Sequence, residues 1–457
     1  MSIGVVNMQR NASSTGRYRR LRTKSPVTVR PKSSEDIVEV LSDRKRFPSP
    51  VRAIGSNSSV SRCNRVQEGT VMDMTRMNRI LQIRTHSVKV QAGMRLRDIA
   101  RKLAEYDLEL VGSYEYPDRT VGGVVSSGSL TAGFPEDGAH LASSVTGLTL
   151  VTPDGRIIDF DETTPEMMAI ARQSYGLLGI ISTVTLKIRK TRSYSIRNRK
   201  ITFAEMSTIA PSLARMNSGV KLYLLPFRGR IFIELRGADA IEQKPRSLAW
   251  KIREWVVNKI LPDVVHSVGR FVPVGRIRDP LIDGFSEATQ MLVNTKFVDA
   301  GSNAMEQTGQ FRRVGAQRRI KSCTWLFPAD KFGAAVYSYR EFARRHYKIS
   351  GFRCDLPAVG YRIPKDRASL LSPSYDGAMF ALSLRSTNTK GWANFLIDVA
   401  KISARFGGVP LFNQTSGFTH EQVCLAYGKR IERFRAMRRK LDPQNRLLNQ
   451  FFVEHVG

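Results

Sequence analysis

RAIGSNSSVSRC, Arg52 to Cys63, is the stretch on which the reading of this chain turns. It leaves a short apolar run, carries one glycine among serines and an asparagine, and holds neither histidine nor lysine. Backbone N–H groups can close on a phosphate only where no bulky side chain intervenes, and Gly55-Ser56-Asn57-Ser58-Ser59 meets that condition while adding four polar side chains. A tight turn explains the same residues equally well. A second small-residue segment, DRTVGGVVSSGSLTAGF (118–134), offers the same surface again. Two such loops in one mixed α and β region point to phosphate binding more than either does alone.

Working outward, VTV (27–29) and VRAIG read as strands, and SSEDIVEVLSD reads as a capped helix with Ile37, Val40 and Leu41 inward. TVMDM and SVKVQAG are strand-like. In MRLRDIARKLAEYDLEL, Leu96, Ile99, Ala100 and Leu103 form a helical stripe. SSVTGLTLVTPDGRIIDF predicts a hairpin turning at Pro153-Asp154-Gly155, and SYGLLGIISTVTLKI (174–188) predicts a buried strand. A first domain therefore spans 26–190, behind a disordered basic leader at 1–25.

From 191 to 405 glycine clusters thin out and arginine rises, as in a separate cap or substrate domain. SLAWKIREWVVNKIL (247–261) places Leu248, Ile252, Trp255, Val256 and Ile260 on one helical face, with Lys251, Arg253 and Lys259 off it. Core packing is one reading of that face and docking on an anionic membrane is the other. The C-terminal segment, 406–457, contains KRIERFRAMRRKLDPQNRLLNQFF, a helix with Ile431, Phe434, Met437 and Leu441 inward, stopped at Asp442-Pro443.

The 457 residues are enough for two cores, and no apolar run reaches the length of a membrane span. Four cysteines lie far apart with no C-x-x-C spacing, which predicts reduced thiols, no metal site and a cytoplasmic location. The charge stands out, with 72 Lys and Arg against 40 Asp and Glu giving +32. Clusters at 17–24, 311–321, 342–348 and 429–440 carry much of it, and each reads as a solvated face or as attraction to an anionic partner. No nucleic-acid motif organises them.

The order RAIGSNSS, VMDMTRMNRILQI, VKVQAGMRLRDIARKL, TVGGVVSSG, VTGLTLVTPDGRI and YGLLGIISTVTLKI resembles the FAD-binding PCMH-type domain of the vanillyl-alcohol oxidase superfamily. LDPQNRLLNQFF resembles the ending of its aldonolactone and alditol oxidase branch. The resemblance implies an α+β fold: a two-subdomain FAD-binding domain, plus a cap domain built on a large antiparallel sheet. It implies that Ile54, Gly55, Ser56, Asn57, Ser58 and Ser59 wrap the FAD pyrophosphate. Pro117, Thr120, Val121, Gly122, Gly123, Ser126, Ser127, Gly128, Ala132 and Gly133 form the second cradle, and Gly179, Ile180 and Val184 lie along adenosine and ribose. Covalent members carry a histidine where Ser58 stands, so the comparison implies non-covalent FAD. Leu130 likewise stands where a histidine is common.

Flavin-dependent oxidation of an alcohol needs a proton acceptor, a donor or cation for the reduced ring, and a pocket that orients the C–H bond. The branch supplies these with a Glu-x-Arg pair and a lysine. PAVGYRIP matches the pair with Gly360 in place of glutamate and Arg362 retained, VPLFNQTS matches the lysine with Gln414, and SCTWLFP places Thr324 where another glutamate is common. Arg362, Gln414 and Thr324 are the catalytic candidates on this comparison; without it Arg362 reads as a surface or salt-bridging arginine. His420, Tyr361 and Cys323 are further acid or base candidates, each also explicable as structural. The reading is an FAD-dependent oxidoreductase acting on CH–OH of a small polar, sugar-like or phosphorylated substrate. Its rivals are a membrane-associated polyprenyl-phosphate sugar oxidase, suggested by the similar decaprenylphosphoryl-ribose oxidases, and a flavin- or nucleic-acid-binding protein with a decayed pocket.

Overall fold

The computed structural model describes residues 25–112, 117–237, 247–295, 300–302 and 320–457. The leader and the basic clusters at 17–24 and 311–319 lie outside these residues.

A parallel three-stranded sheet comes first, ordered β1 (Val27–Val29), β3 (Thr70–Asp73), β2 (Val51–Ile54). Helix α1 (Ser34–Ser42) covers it; Ser33 accepts from Asp36 N at 3.2 Å, and Ile37, Val40 and Leu41 are buried as their spacing requires. The next sheet runs β4 (Ile80–Ile83), β5 (Ser87–Gln91), β9 (Ile180–Lys190), β7 (Val145–Val151), β8 (Ile157–Asp161), with β6 (Leu108–Leu110) also pairing β9. Helix α2 (Leu96–Ala104) buries the expected stripe, and β7 turns into β8 at Gly155, whose φ is 85°. The second small-residue segment is not wholly a loop, because α3 (Val121–Ser126) forms within it. A further helix, α4 (Pro165–Ala171), precedes β9.

The third sheet has eight antiparallel strands: β13 (Ala300–Ser302), β10 (Ser193–Thr202), β12 (Arg230–Gly237), β11 (Gly219–Leu225), β15 (Ala358–Ile363), β16 (Met379–Ser386), β14 (Lys321–Pro328) and β17 (Val409–Pro410). Helices α5 (Phe203–Arg215), α9 (Phe332–Ser350) and α10 (Trp392–Arg405) cover one face. There Phe332 stacks on Phe380 at 4.5 Å, and Trp325, Phe327, Leu382 and Leu384 meet Tyr339, Phe342 and Val399. Helices α6 (Ser247–Trp255), α7 (Leu261–Phe271) and α8 (Gly275–Thr295) follow β12, with a π-helical turn at Val256–Ile260 between the first two. The C-terminal helices α11 (His420–Tyr427), α12 (Lys429–Leu441) and α13 (Gln450–His455) return to the first sheet, where Leu447 joins the Ile37, Val51 and Met72 core.

The face assigned to 247–261 needs correction. Leu248 is 69% exposed and Trp255 38%, while Trp250, Arg253, Val257 and Leu261 are buried. The buried stripe includes an arginine because Glu234 on β12 pairs with it. An ion pair from another element overrides the hydrophobic count.

Candidate functional site

β2 ends at Ile54, and the chain turns through Gly55 against the start of α3. A Cβ on Gly55 would lie 1.8 Å from Thr120 Oγ1, so the two loops touch only because residue 55 has none. Asn57 adopts φ 52°, which lets the loop curl back, and its Oδ1 accepts from Asn64 Nδ2 at 2.8 Å. Between the loops lies a cleft of about 870 Å³ including its open mouth.

Of the sequence-derived set, Ile54, Gly55, Ser56, Asn57, Ser58, Ser59, Thr120, Gly122, Gly123, Ser126, Ser127, Gly179 and Ile180 line this cleft. Six do not. Val121 and Val184 are fully buried in the apolar core, Val184 in register with Val90 and Leu148. The Pro117 carbonyl accepts from Arg97 N. Gly128 backs onto Leu411, and Ala132 abuts Gly219 of β11. Gly133 N donates to Thr131 Oγ1.

Sequence reading missed Arg52 and Asn413, which also line the cleft. Arg52 is 4% exposed; its guanidinium donates to the carbonyls of Tyr175 (2.6 Å), Leu447 (3.0 Å) and Gly176 (3.2 Å), while its Nε has no partner among the described residues. Burial lowers its pKa to about 10. Asn413 Nδ2 donates to Ser127 Oγ at 3.1 Å, its carbonyl accepts from Val60 N, and its buried Oδ1 is unpartnered among the described residues. One charge inside the apolar run VRAI was the available signal for Arg52. A cradle closed to any Cβ, a buried cation held by carbonyls and an orphan amide oxygen fit an anionic dinucleotide that carries its own N–H donors. Gly55→Ala is accordingly expected to force the loops apart and weaken FAD retention at least tenfold, about 1.4 kcal/mol or more. Fluorescence titration of the apoprotein measures this, and an unchanged affinity would show that close approach is not what shapes the cradle.

Thr324 and Gln414 come together. Thr324 N donates to the Gln414 carbonyl at 3.0 Å, Thr324 Oγ1 bonds Ser383 Oγ at 3.0 Å, and Gln414 Nε2 donates to Gly128 O at 3.2 Å. Arg362 does not join them. It pairs in register with Phe380 on the helix-covered face, whereas Thr324 pairs with Ser383 on the other. Nor is it a surface residue, and it has no salt bridge among the described residues: it is 2% exposed, donates to Ser218 O, and its pKa is lowered to about 10 by burial. Tyr361 and Cys323 are buried, and His420 Nε2 lies 3.3 Å from Cys424 Sγ, near the C-terminal helices.

A second omission is His140. Its Nδ1 lies 2.7 Å from Ser129 O, a contact in which only the ring can donate, so the neutral ring leaves its lone pair on Nε2. That nitrogen is buried and has no partner among the described residues, and burial holds the pKa below the ordinary 6.5 against the opposing pull of Asp366. His140 and Gln414 thus bond the consecutive carbonyls of Ser129 and Gly128, just beyond the cleft wall.

Residues 25–161 match the family described as FAD binding domain. With the cleft and the eight-stranded cap sheet, this defines the protein as an FAD-dependent oxidoreductase of the PCMH-type fold. Residues 184–455 match the family described as D-arabinono-1,4-lactone oxidase, and the chain belongs to that family. L-gulonolactone oxidase of Mus musculus is 33% identical over 432 residues, covering 92% of this chain and 93% of its own. L-gulono-1,4-lactone dehydrogenase of Mycobacterium tuberculosis is 22% identical over 440 residues, covering 94% and 95%. Cholesterol oxidase from Brevibacterium sterolicum shares the fold, with a TM-score of 0.70 at 12% identity over 94% of each chain. Among the described residues no helix is long and apolar enough to cross a membrane, and no group of His, Cys, Asp or Glu could hold a metal.

Proposed function

We propose that this chain oxidises a CH–OH carbon of an aldonolactone-like or related sugar substrate, using non-covalent FAD and the His140 imidazole as proton acceptor. The observation that carries the reading is the pairing of His140 and Gln414 on consecutive carbonyls beside the cleft. FAD supplies the hydride acceptor when bound. Arg52 offsets its negative charge, and the two small-residue loops hold its pyrophosphate. His140 Nε2 takes the substrate hydroxyl proton; position 360 shares the helix-covered face with Arg362, so a side chain there would point away from Thr324 and Ser383. Gln414 presents an amide donor where the family pattern has a cation, and the Thr324–Ser383 hydroxyl pair gives a substrate hydroxyl a polar partner. Arg362 supports the sheet rather than the chemistry.

Relatives named for L-gulonolactone and D-arabinono-1,4-lactone set the substrate panel. One of these 1,4-lactones, added without oxygen, is expected to bleach the bound flavin; if none does, while photoreduction still bleaches it, the substrate class is wrong. Acid precipitation is expected to leave the yellow colour in the supernatant, because Ser58 cannot bond the flavin methyl group. Colour in the pellet would mean a covalent link from another residue. The charge of +32 supports peripheral association with an anionic membrane surface, and the four spaced cysteines support a cytoplasmic location.

A further inference from the structure

Helix α8 buries Ile282 and Val293 alongside several polar residues, and leaves a second apolar strip outside. Its polar residues point inward: Asp279 accepts from Arg278 and Tyr347, Asp283 pairs with Arg353, Glu287 accepts from Arg228 Nε at 2.6 Å, and Gln290 and Asn294 are buried. Its outward face carries Ile277 (58% exposed), Leu281 (53%), Met291 (45%) and Leu292 (47%), and Phe271 (76%) and Val274 (52%) extend the same strip at the α7–α8 corner. Six of the nineteen exposed large apolar side chains among the described residues therefore fall within this one segment. An ordinary surface helix turns its apolar stripe to the core, and a contiguous apolar strip left outside marks an interaction surface.

We infer that this strip lies in the interfacial region of an anionic lipid bilayer, with α8 parallel to the surface. The inference rests on the peripheral-membrane reading above and adds the surface that makes the contact. Exposed Arg270 and Arg276 flank the apolar tip, and between residues 260 and 295 no Asp or Glu is exposed. Apolar side chains with basic neighbours and no acidic ones suit acyl chains beneath anionic headgroups. A second copy of the same face would offer Arg270 and Arg276 no carboxylate to meet. The helix is about 31 Å long, and its buried polar face, not its length, keeps it from crossing the bilayer.

The test is flotation of the FAD-loaded full chain with vesicles of phosphatidylcholine containing about 30% phosphatidylglycerol, at roughly 0.1 M and 0.5 M salt. Wild type is expected to float, with a fraction resisting high salt. The double variant Ile277→Glu/Leu281→Glu is expected to bind at least about tenfold more weakly, with unchanged flavin spectrum and melting temperature, since both positions are exposed. Equal binding by the variant would overturn the assignment to α8 and leave only a general polycation attraction. A wild-type dimer that the double variant dissolves would assign the strip to a second copy instead. Failure of wild type to float under any condition would overturn the peripheral reading together with this inference.

Discussion

His140→Gln is expected to slow anaerobic reduction of the bound flavin by lactone about 10²- to 10⁴-fold, the range lost when a positioned general base is removed. Glutamine keeps a hydrogen-bond donor for Ser129 O, so FAD affinity and the resting spectrum should survive. A structural role would not move the pH profile, and that is the deciding measurement. Wild-type rate should fall on the acid side as pH drops through the His140 pKa, which burial holds below 6.5, and this limb should vanish in the variant. Stability follows the same sign. As pH falls from 6.5 towards the lower folded value, the unfolded chain binds a proton that the folded ring refuses, so the wild type loses stability over that window and His140→Gln does not. A variant with wild-type rate and an unchanged acid limb would reduce His140 to a neutral residue filling the junction.

What could be read from the sequence follows the physics of each signal. The loops at 55–59 and 120–128 were legible because close backbone approach leaves few residue choices, and a 1.8 Å conflict at Gly55 is the constraint that writes itself into composition. Helix α2 and the β7–β8 hairpin were legible because one face or one turn decides them locally. His140 was not, since a single histidine in DGAHLASS gains meaning only from Ser129 and Asp366, and the latter lies 226 positions away. Arg362 was misplaced for a related reason. Strand alternation states that 360 and 362 share a face, but only the register with Phe380 says which face that is.

Glu234→Ala should be the most damaging single change in the cap, costing about 3 to 5 kcal/mol, because it strands buried arginines without their anion. Glu234 is wholly buried on β12; its Oε1 accepts from Arg236 Nε at 2.8 Å, and its Oε2 accepts from Arg253 of α6. Burial alone would raise its pKa, yet Arg253, Arg236 and Lys221 hold it at about 2. The folded pKa is depressed from 4.5, so the stabilisation is complete above that value and disappears as pH falls through about 2. Chemical denaturation at neutral pH measures the loss, and Leu at 234 combined with Met at 236 and 253 provides the control. The triple change removes Glu234 together with both arginines and leaves Lys221 in place, so it should fall closer to wild type than the single one. If the single and triple variants were equally unstable, packing volume rather than charge would explain the damage. That result would also undo the explanation given for the α6 face, since it is this pair that turns Arg253 inward and leaves Leu248 and Trp255 outside.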